Sequence, residues 1–312
     1  MLSRVASHLY WMSRYQERAE NMARILDVGQ SLALLSAQDD GAAIEPLIIT
    51  DTLVAFDEAG GPRTTEGVAR FLAWDAAHPS SIANCLESSR ENARAVRGAI
   101  TSEMWETIND TWLQLQQRRR VEGQPVDAGF FDWVKERSHQ FRGVTSGTIL
   151  RGQPWAFIRL GTIIERADNT ARILSVKQGA VDTAVRPTPP ADDIADYYSL
   201  AAVLRSVSAF EAYQDTYRDV IDARRVAELL ILDPKLPRSL RFCYDEIEAL
   251  LDQLPKQAGR PARRLAATIQ AGLAHGDVAE ALSLGLYEFL ERFLKENVLL
   301  GEAVQSAYLE LT

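Results

Sequence analysis

Cysteine is nearly absent from this chain. Two residues in 312, Cys85 and Cys243, cannot build a disulfide framework. Proline and glycine are scarce as well, at 12 and 18 positions. Many short strands joined by Gly/Pro-rich turns would need more of both, so an all-β fold is disfavoured. No stretch of about 18 consecutive apolar residues occurs, so no membrane span is predicted. The segment from Met1 to His8 has no long apolar run, and Arg14, Glu17 and Arg18 follow soon after. That pattern is not a signal peptide and predicts a cytoplasmic protein. Positive charge is in deficit: 34 Lys and Arg stand against 43 Asp and Glu, a net charge of −9. A chain-wide electrostatic grip on nucleic acid or an anionic membrane is disfavoured, while a local basic patch stays open. Within the cations lysine is rare, 5 against 29 arginines. The arginine bias suits ion-pair networks or an anion site, and genomic base composition is the plainer cause.

What the chain does have is apolar side chain, 46% of positions, enough for a large core. Its length fits two domains or one large one. Nearly every segment shows helical period. Met12, Tyr15, Ala19, Ala23 and Leu26 recur at i+3/i+4 spacing on one face of a helix over residues 3–35. Pro46 is placed to open a second helix as an N1 proline. Further helices are predicted from Thr65 to Trp74, from Ser80 or Ser81 to about Ile100, from Thr101 or Ser102 to Arg118–Arg120, from Phe130 to Arg151, and from Pro154 to Gln178. The run Arg186-Pro187-Thr188-Pro189-Pro190 reads as a linker. Helices resume at residues 195–219, 222–232, 237–254, 261–274 and from 277 onward. The expected fold is all-α, roughly twelve helices.

An internal repeat organises those helices. Residues 17–28 read ERAENMARILDV and residues 165–176 read ERADNTARILSV, nine of twelve identical at an offset of 148. Val68-Ala69, Leu72, Asp75, Pro79, Ser81 and Cys85 match Val226-Ala227, Leu230, Asp233, Pro237, Ser239 and Cys243 at an offset of 158. The Pro-rich linker lies between the two matches in the second copy and can hold the extra residues. The expectation is two duplicated six-helix halves, 1–150 and 151–312, packed as one body about a pseudo-two-fold axis. Both cysteines fall at the same repeat position, which argues for a small buried packing residue and against a redox pair or nucleophile.

At about 100° per residue, Glu17, Glu20, Asn21 and Arg24 share one arc, and Glu165, Asp168, Asn169 and Arg172 share its counterpart. Ala19, Ala23 and Leu26 lie opposite, as do Ala167, Ala171 and Leu174. Three readings apply: a solvated face with Glu20–Arg24 and Asp168–Arg172 pairs at i,i+4, a ligand or partner site, or a partly buried polar network. The last is favoured, because the halves have diverged elsewhere while this arc has kept its residue types. Across the two copies, carboxylates of one are placed to pair with arginines of the other; Arg18 and Arg166 are counted in the same candidate network or ligand site. Arg90, Arg94 and Arg97 form a second cationic stripe beside Glu87 and Glu91, a candidate anion or acidic-partner surface or an ion-paired face.

Other chemistry finds little support. E-x-x-E and E-x-x-D lack the histidine of carboxylate-bridged di-metal bundles, and arginine shares the face. His8, His78, His139 and His275 show no ligand spacing. There is no G-x-S-x-G, no Gly-rich phosphate loop and no C-x-x-C. No catalytic residue, metal or cofactor is assigned.

Five segments together carry a resemblance: Glu17-Arg18-Ala19-Glu20-Asn21, Ser89-Arg90-Glu91-Asn92-Ala93-Arg94, Glu165-Arg166-Ala167-Asp168, Leu204-Arg205-Ser206 through Glu211-Ala212-Tyr213, and Leu232-Asp233-Pro234 through Pro237-Arg238-Ser239. In their order and spacing the chain resembles the alpha-E proteins, bacterial all-helical proteins named for their helices and this Glu-Arg pair. The resemblance implies genes beside those of circularly permuted ATP-grasp enzymes and transglutaminase-like proteases, sometimes with a proteasome-like peptidase. It therefore implies a role in peptide synthesis or tagging, as a non-catalytic helical partner of an ATP-grasp amide ligase and of a transglutaminase-like protein. The alternatives are an enzyme acting on amide bonds through the Glu/Arg face, with Glu17/Glu20 or Glu165/Asp168 as acid and base, and a scaffold whose role is oligomerisation.

Overall fold

A computed structural model describes residues 1–35, 40–120, 125–176, 193–277 and 285–310. The described residues form fourteen α-helices and no strand. The Pro-rich stretch at 186–190 lies outside them. Contacts divide the chain into two units, Met1–Glu165 with Tyr308–Thr312, and Arg166–Ala307.

The first unit is built on α1 (Ser3–Leu35). Around it stand α2 (Asp40–Ile49), α3 (Leu53–Ala59), α4 (Thr65–Trp74), α5 (Ile82–Ala95), α6 (Ser102–Arg119) and α7 (Ala128–Thr148). The apolar side of α1 forms the centre of the core. Ala19, Ala23 and Leu26 meet Val68 and Leu72 of α4, Ile82, Cys85 and Leu86 of α5, and Phe130, Phe131 and Val134 of α7. The small side chains at Ala19 and Ala23 let α5 approach closely. Each fully buried leucine in this cluster contributes about 1.5–3 kcal/mol. The first half of α8 (Gln153–Val176) also belongs to this unit. It crosses α1 at Gly161, where an added Cβ would collide with the Tyr10 carbonyl oxygen.

The second unit takes the rest of α8 with α9 (Asp193–Ser206), α10 (Phe210–Tyr217), α11 (Ala223–Leu232), α12 (Leu240–Asp252), α13 (Arg260–His275) and α14 (Leu286–Val304). Helices α12, α13 and α14 pack in sequence, and α11 lies against α12 and α13. Cys243, Tyr244, Ile247, Leu251, Ala262, Ala266, Leu290 and Leu300 are buried there.

Each unit contains the same helix–turn–helix detail at the repeated positions. Helix α4 ends at Asp75 with φ −64° and ψ 122°, and α11 ends at Asp233 with φ −70° and ψ 121°. Each aspartate accepts a hydrogen bond from the backbone N–H two residues on, at 2.7 Å in both cases. Ser81 caps α5 by accepting from Asn84 N–H at 3.3 Å, and Ser239 caps α12 by accepting from Phe242 N–H at 3.0 Å. Such caps contribute about 1 kcal/mol each. Cys85 and Cys243 follow four residues later, and both are fully buried and outside any disulfide.

Three local expectations change. Pro46 lies inside α2 rather than opening it. Its ring packs against Gly29 of α1, where a Cβ would sit 3.0 Å from Pro46 Cγ. The helix predicted at 195–219 is two helices. Ser208 adopts φ 54°, with Ser208 N–H bonded to Arg205 O and Ala209 N–H to Leu204 O. That is a Schellman stop with serine where glycine is usual. Asp51 closes α2 in the same way, at φ 55°, and α3 follows where no helix was read.

Candidate functional site

The repeated arc is buried. Glu17 and Glu20 are 2% and 0% exposed, Glu165 is 6%, and Asn21, Arg166 and Asn169 are buried with them. A solvated face is thereby excluded for these residues. Arg24, Asp168 and Arg172 are half-buried at its edge.

Two clusters in the first unit use the carboxylates. In one, Arg142 reaches across from α7 to α1, meeting Glu17 at 3.3 Å and forming a direct ion pair with Glu20. Arg24 joins from the same helix, with Nη2 2.8 Å from Glu20 Oε1. His139, one turn before Arg142, places Nε2 3.7 Å from Glu20 and 3.2 Å from the Arg24 guanidinium.

The other cluster surrounds Glu165 of α8. Arg18 donates through Nε at 2.6 Å and Nη2 at 3.0 Å, a two-pronged contact. Arg14 approaches the same carboxylate at 2.7 Å and also donates to Tyr10 Oη at 3.2 Å. The Arg14 guanidinium lies over the Trp11 ring at 5.1 Å, and Arg18 lies over Tyr15 at 5.8 Å. Burial pushes the Glu165 pKa up, but Arg18 and Arg14 outweigh burial and hold it down at about 2. Burial also raises the Tyr10 phenol. Glu165 is therefore an ionised carboxylate at neutral pH, with its oxygens already taken by guanidinium donors.

The arginine of each Glu-Arg pair reaches the turn before the cysteine helix. Arg18 Nη1 donates to Ser80 Oγ at 3.3 Å, and Arg166 Nη1 donates to the Pro237 carbonyl at 3.3 Å. Thr170 adds a bond to the Arg238 carbonyl at 2.9 Å. The i,i+4 pairs form in both Glu-Arg motif helices, Arg24 with Glu20 and Arg172 with Asp168, the latter at 2.7 Å. Cys85 lies beneath the first turn, and burial pushes its thiol up to about 12, so it is no nucleophile.

The stripe on α5 is not drawn into either cluster. Arg90 and Arg94 both pair with Glu91, each at 2.6 Å, and Arg90 also donates to Asn109 of α6 at 2.9 Å. Arg97 stacks over Trp105 at 4.7 Å. That is an ion-paired, aromatic-packed face.

Arg14, Arg142 and His139 were missed in the sequence. For Arg14 a signal was present: Arg14 and Arg18 are like charges at i,i+4, which repel unless an anion lies between them. For Arg142, 122 residues from Glu20, no local pattern exists. Among the described residues no group of three or more His, Cys, Asp or Glu is placed to hold a metal ion. None of their helices is long and apolar enough to cross a membrane. Three sizeable clefts lie between α11, α13 and α14, at the α12–α13 turn, and beside α3 and α4, and none of the three includes Glu17, Glu20 or Glu165.

Comparison with known proteins finds uncharacterised relatives. One, from Mycobacterium bovis, is 27% identical over 289 residues, covering 83% of this chain and 31% of the relative. Proteins from two strains of Mycobacterium tuberculosis match with the same identity and coverage. The chain thus spans about a third of the length of the curated relatives it matches. No solved structure matches it. The model of the Alpha-E family, a predicted alpha-helical domain with a conserved ER motif, matches residues 1–309, and the chain, with Glu17-Arg18 in α1 and Glu165-Arg166 in α8, belongs to that family.

Proposed function

We propose that this chain is a non-catalytic helical accessory subunit of an ATP-grasp amide ligase, acting in a cytoplasmic peptide-synthesis or tagging system that also includes a transglutaminase-like protein. The single observation that carries the non-catalytic half is the state of Glu165. A general acid or base needs a pKa near the working pH and a free path to substrate. Glu165 instead has a pKa of about 2 and gives its oxygens to Arg14 and Arg18. Glu20 is likewise fully buried against Arg24 and Arg142. The ligase half rests on the resemblance to alpha-E proteins and the gene neighbourhood it implies.

The same reading takes the chain as two duplicated helical halves about a pseudo-two-fold axis. Its support is local: the matching Asp-cap, Ser-cap and buried Cys at Asp75/Asp233, Ser81/Ser239 and Cys85/Cys243, and the matching reach of Arg18 and Arg166 to the preceding turn. The Glu-Arg motif then joins helices, and the partner binds elsewhere.

Affinity capture of the chain at native expression level, followed by mass spectrometry, tests the proposal. Recovery of an ATP-grasp protein supports it. Recovery of only unrelated proteins, or amide-bond cleavage by the purified chain, overturns it.

A further inference from the structure

The α12–α13 hairpin carries a strongly basic concavity in an acidic chain. Residues 255–264 read PKQAGRPARR, four cations without a carboxylate. With the end of α12 they enclose a cleft of about 830 Å³. Lys256, Arg260 and Arg264 are exposed on it, and no described residue forms an ion pair with any of the three. Arg263 pairs with Asp252 and donates to the Leu251 carbonyl at 3.3 Å. Glu248 is the one other carboxylate of the lining.

These cations occupy the wrong end of their helix. The first turns of α13 already present partial positive charge from unbonded backbone N–H groups. The Gly259 cap supplies no side-chain acceptor, and the first turn holds no acidic residue. Arg260, Arg263 and Arg264 add full positive charge there. Among the described residues, Asp252 forms the one ion pair with these cations, and Glu248 is the other carboxylate near them. A placement that opposes the helix dipole without an internal counter-ion marks a site for an external one.

We propose that this cleft binds the oligophosphate group of a small molecule, a di- or triphosphate. Arg260, Arg263 and Arg264 stand at i, i+3 and i+4, so their Cβ atoms lie only about 5–6 Å apart on one helix face. Arg260 and Arg264 leave two guanidinium forks open on that face, beside Lys256 and the Asp252-paired Arg263, a charge density that suits adjacent phosphates. Carboxylates along an extended acidic peptide recur on one face only every ~6.6 Å and turn away from a single concavity. The lining contains no aromatic ring, so the cleft reads phosphate and not a nucleobase. This site is independent of the ligase partnership and of the Glu-Arg clusters.

Calorimetric titration of the full chain with sodium tripolyphosphate, ATP, GTP and a glutamate-rich peptide tests the assignment. Tripolyphosphate, ATP and GTP are expected to bind saturably with closely similar affinity, weakening as salt rises. Arg260→Gln with Arg264→Gln lowers that affinity at least about tenfold, while Arg70→Gln in the first unit leaves it unchanged. Arg260→Lys with Arg264→Lys keeps charge but loses the forks, and falls between. Both double variants retain the wild-type melting temperature, since the side chains are exposed. Absence of saturable binding by tripolyphosphate, equal affinity in the Gln double variant, a strong preference between ATP and GTP, or tighter binding of the peptide would overturn the proposal.

Discussion

Arg18 and Glu165 face each other through two nitrogen–oxygen contacts of 2.6 and 3.0 Å, joining the Glu-Arg motif of α1 to that of α8. Arg14 lies on the same carboxylate. Glu165→Gln removes the carboxylate charge that both of these half-buried arginines meet. Breaking one side of a buried pair costs about 3–5 kcal/mol. Denaturant unfolding of Glu165→Gln is expected to show a loss of that size, and Arg18→Met with Glu165→Met a smaller one. A Glu165→Gln chain as stable as wild type would mean the cluster is not structural.

The same pair sets an acid limit. Glu165 has a folded pKa of about 2 against an ordinary 4.5. A depressed carboxylate pKa gives stability that is fully present above pH 4.5 and is lost as pH falls toward 2. The shift corresponds to something on the order of 3 kcal/mol. Stability measured from pH 6 to pH 2 should fall more steeply in wild type than in Glu165→Gln over the interval below 4.5. Parallel curves would contradict the assignment.

His78 acts at higher pH. It is stacked on Phe71 at 4.9 Å, and burial lowers its pKa below 6.5, with Asp75 opposing and Arg18 reinforcing. A neutral buried imidazole stabilises the fold above its unfolded pKa, and that contribution is lost as pH drops below 6.5. His78→Phe should remove this part of the pH dependence, and NMR titration of the ring should show a midpoint below the ordinary value.

Helix crossing gives a sharper contrast. A Cβ at Gly161 would meet the Tyr10 carbonyl and lie 2.5 Å from Ser13 Oγ, whereas Gly143 in α7 has nothing within 4 Å. Gly161→Ala should destabilise the chain by at least about 1–3 kcal/mol. Gly143→Ala should stabilise it by up to about 1 kcal/mol through helix propensity. Thermal melts of the two variants moving in the same direction would refute the placement of α8 on α1.

How far these features were legible depended on their range. Helical period exposed the α1 arc, because Glu17, Glu20 and Asn21 recur on one face. Cap chemistry narrowed two helix starts to Ser80 or Ser81 and to Thr101 or Ser102, since a hydroxyl ahead of an apolar run is a local signal, and the structure selects Ser81 and Thr101. The repeat exposed both cysteines as packing residues. The partners Arg14 and Arg142 stayed hidden in different ways. Arg14 left a trace as a like-charge neighbour of Arg18, while Arg142 pairs through space with a helix more than a hundred residues away. The stops at Asp51 and Ser208 were missed because both residues take the left-handed conformation in place of glycine. The basic hairpin at 255–264 read only as a helix start, since its convergence needs the fold.

The central claim is partnership without catalysis. It is tested most directly by co-expressing the chain with an ATP-grasp ligase from the same organism, then measuring co-elution by size exclusion and ATP turnover with each chain present and omitted. The account predicts that the two co-elute, that ATP turnover requires the ligase and changes when this chain is added, and that this chain alone turns over nothing. Separate elution with unchanged turnover, or amide-bond chemistry by this chain alone, would contradict it.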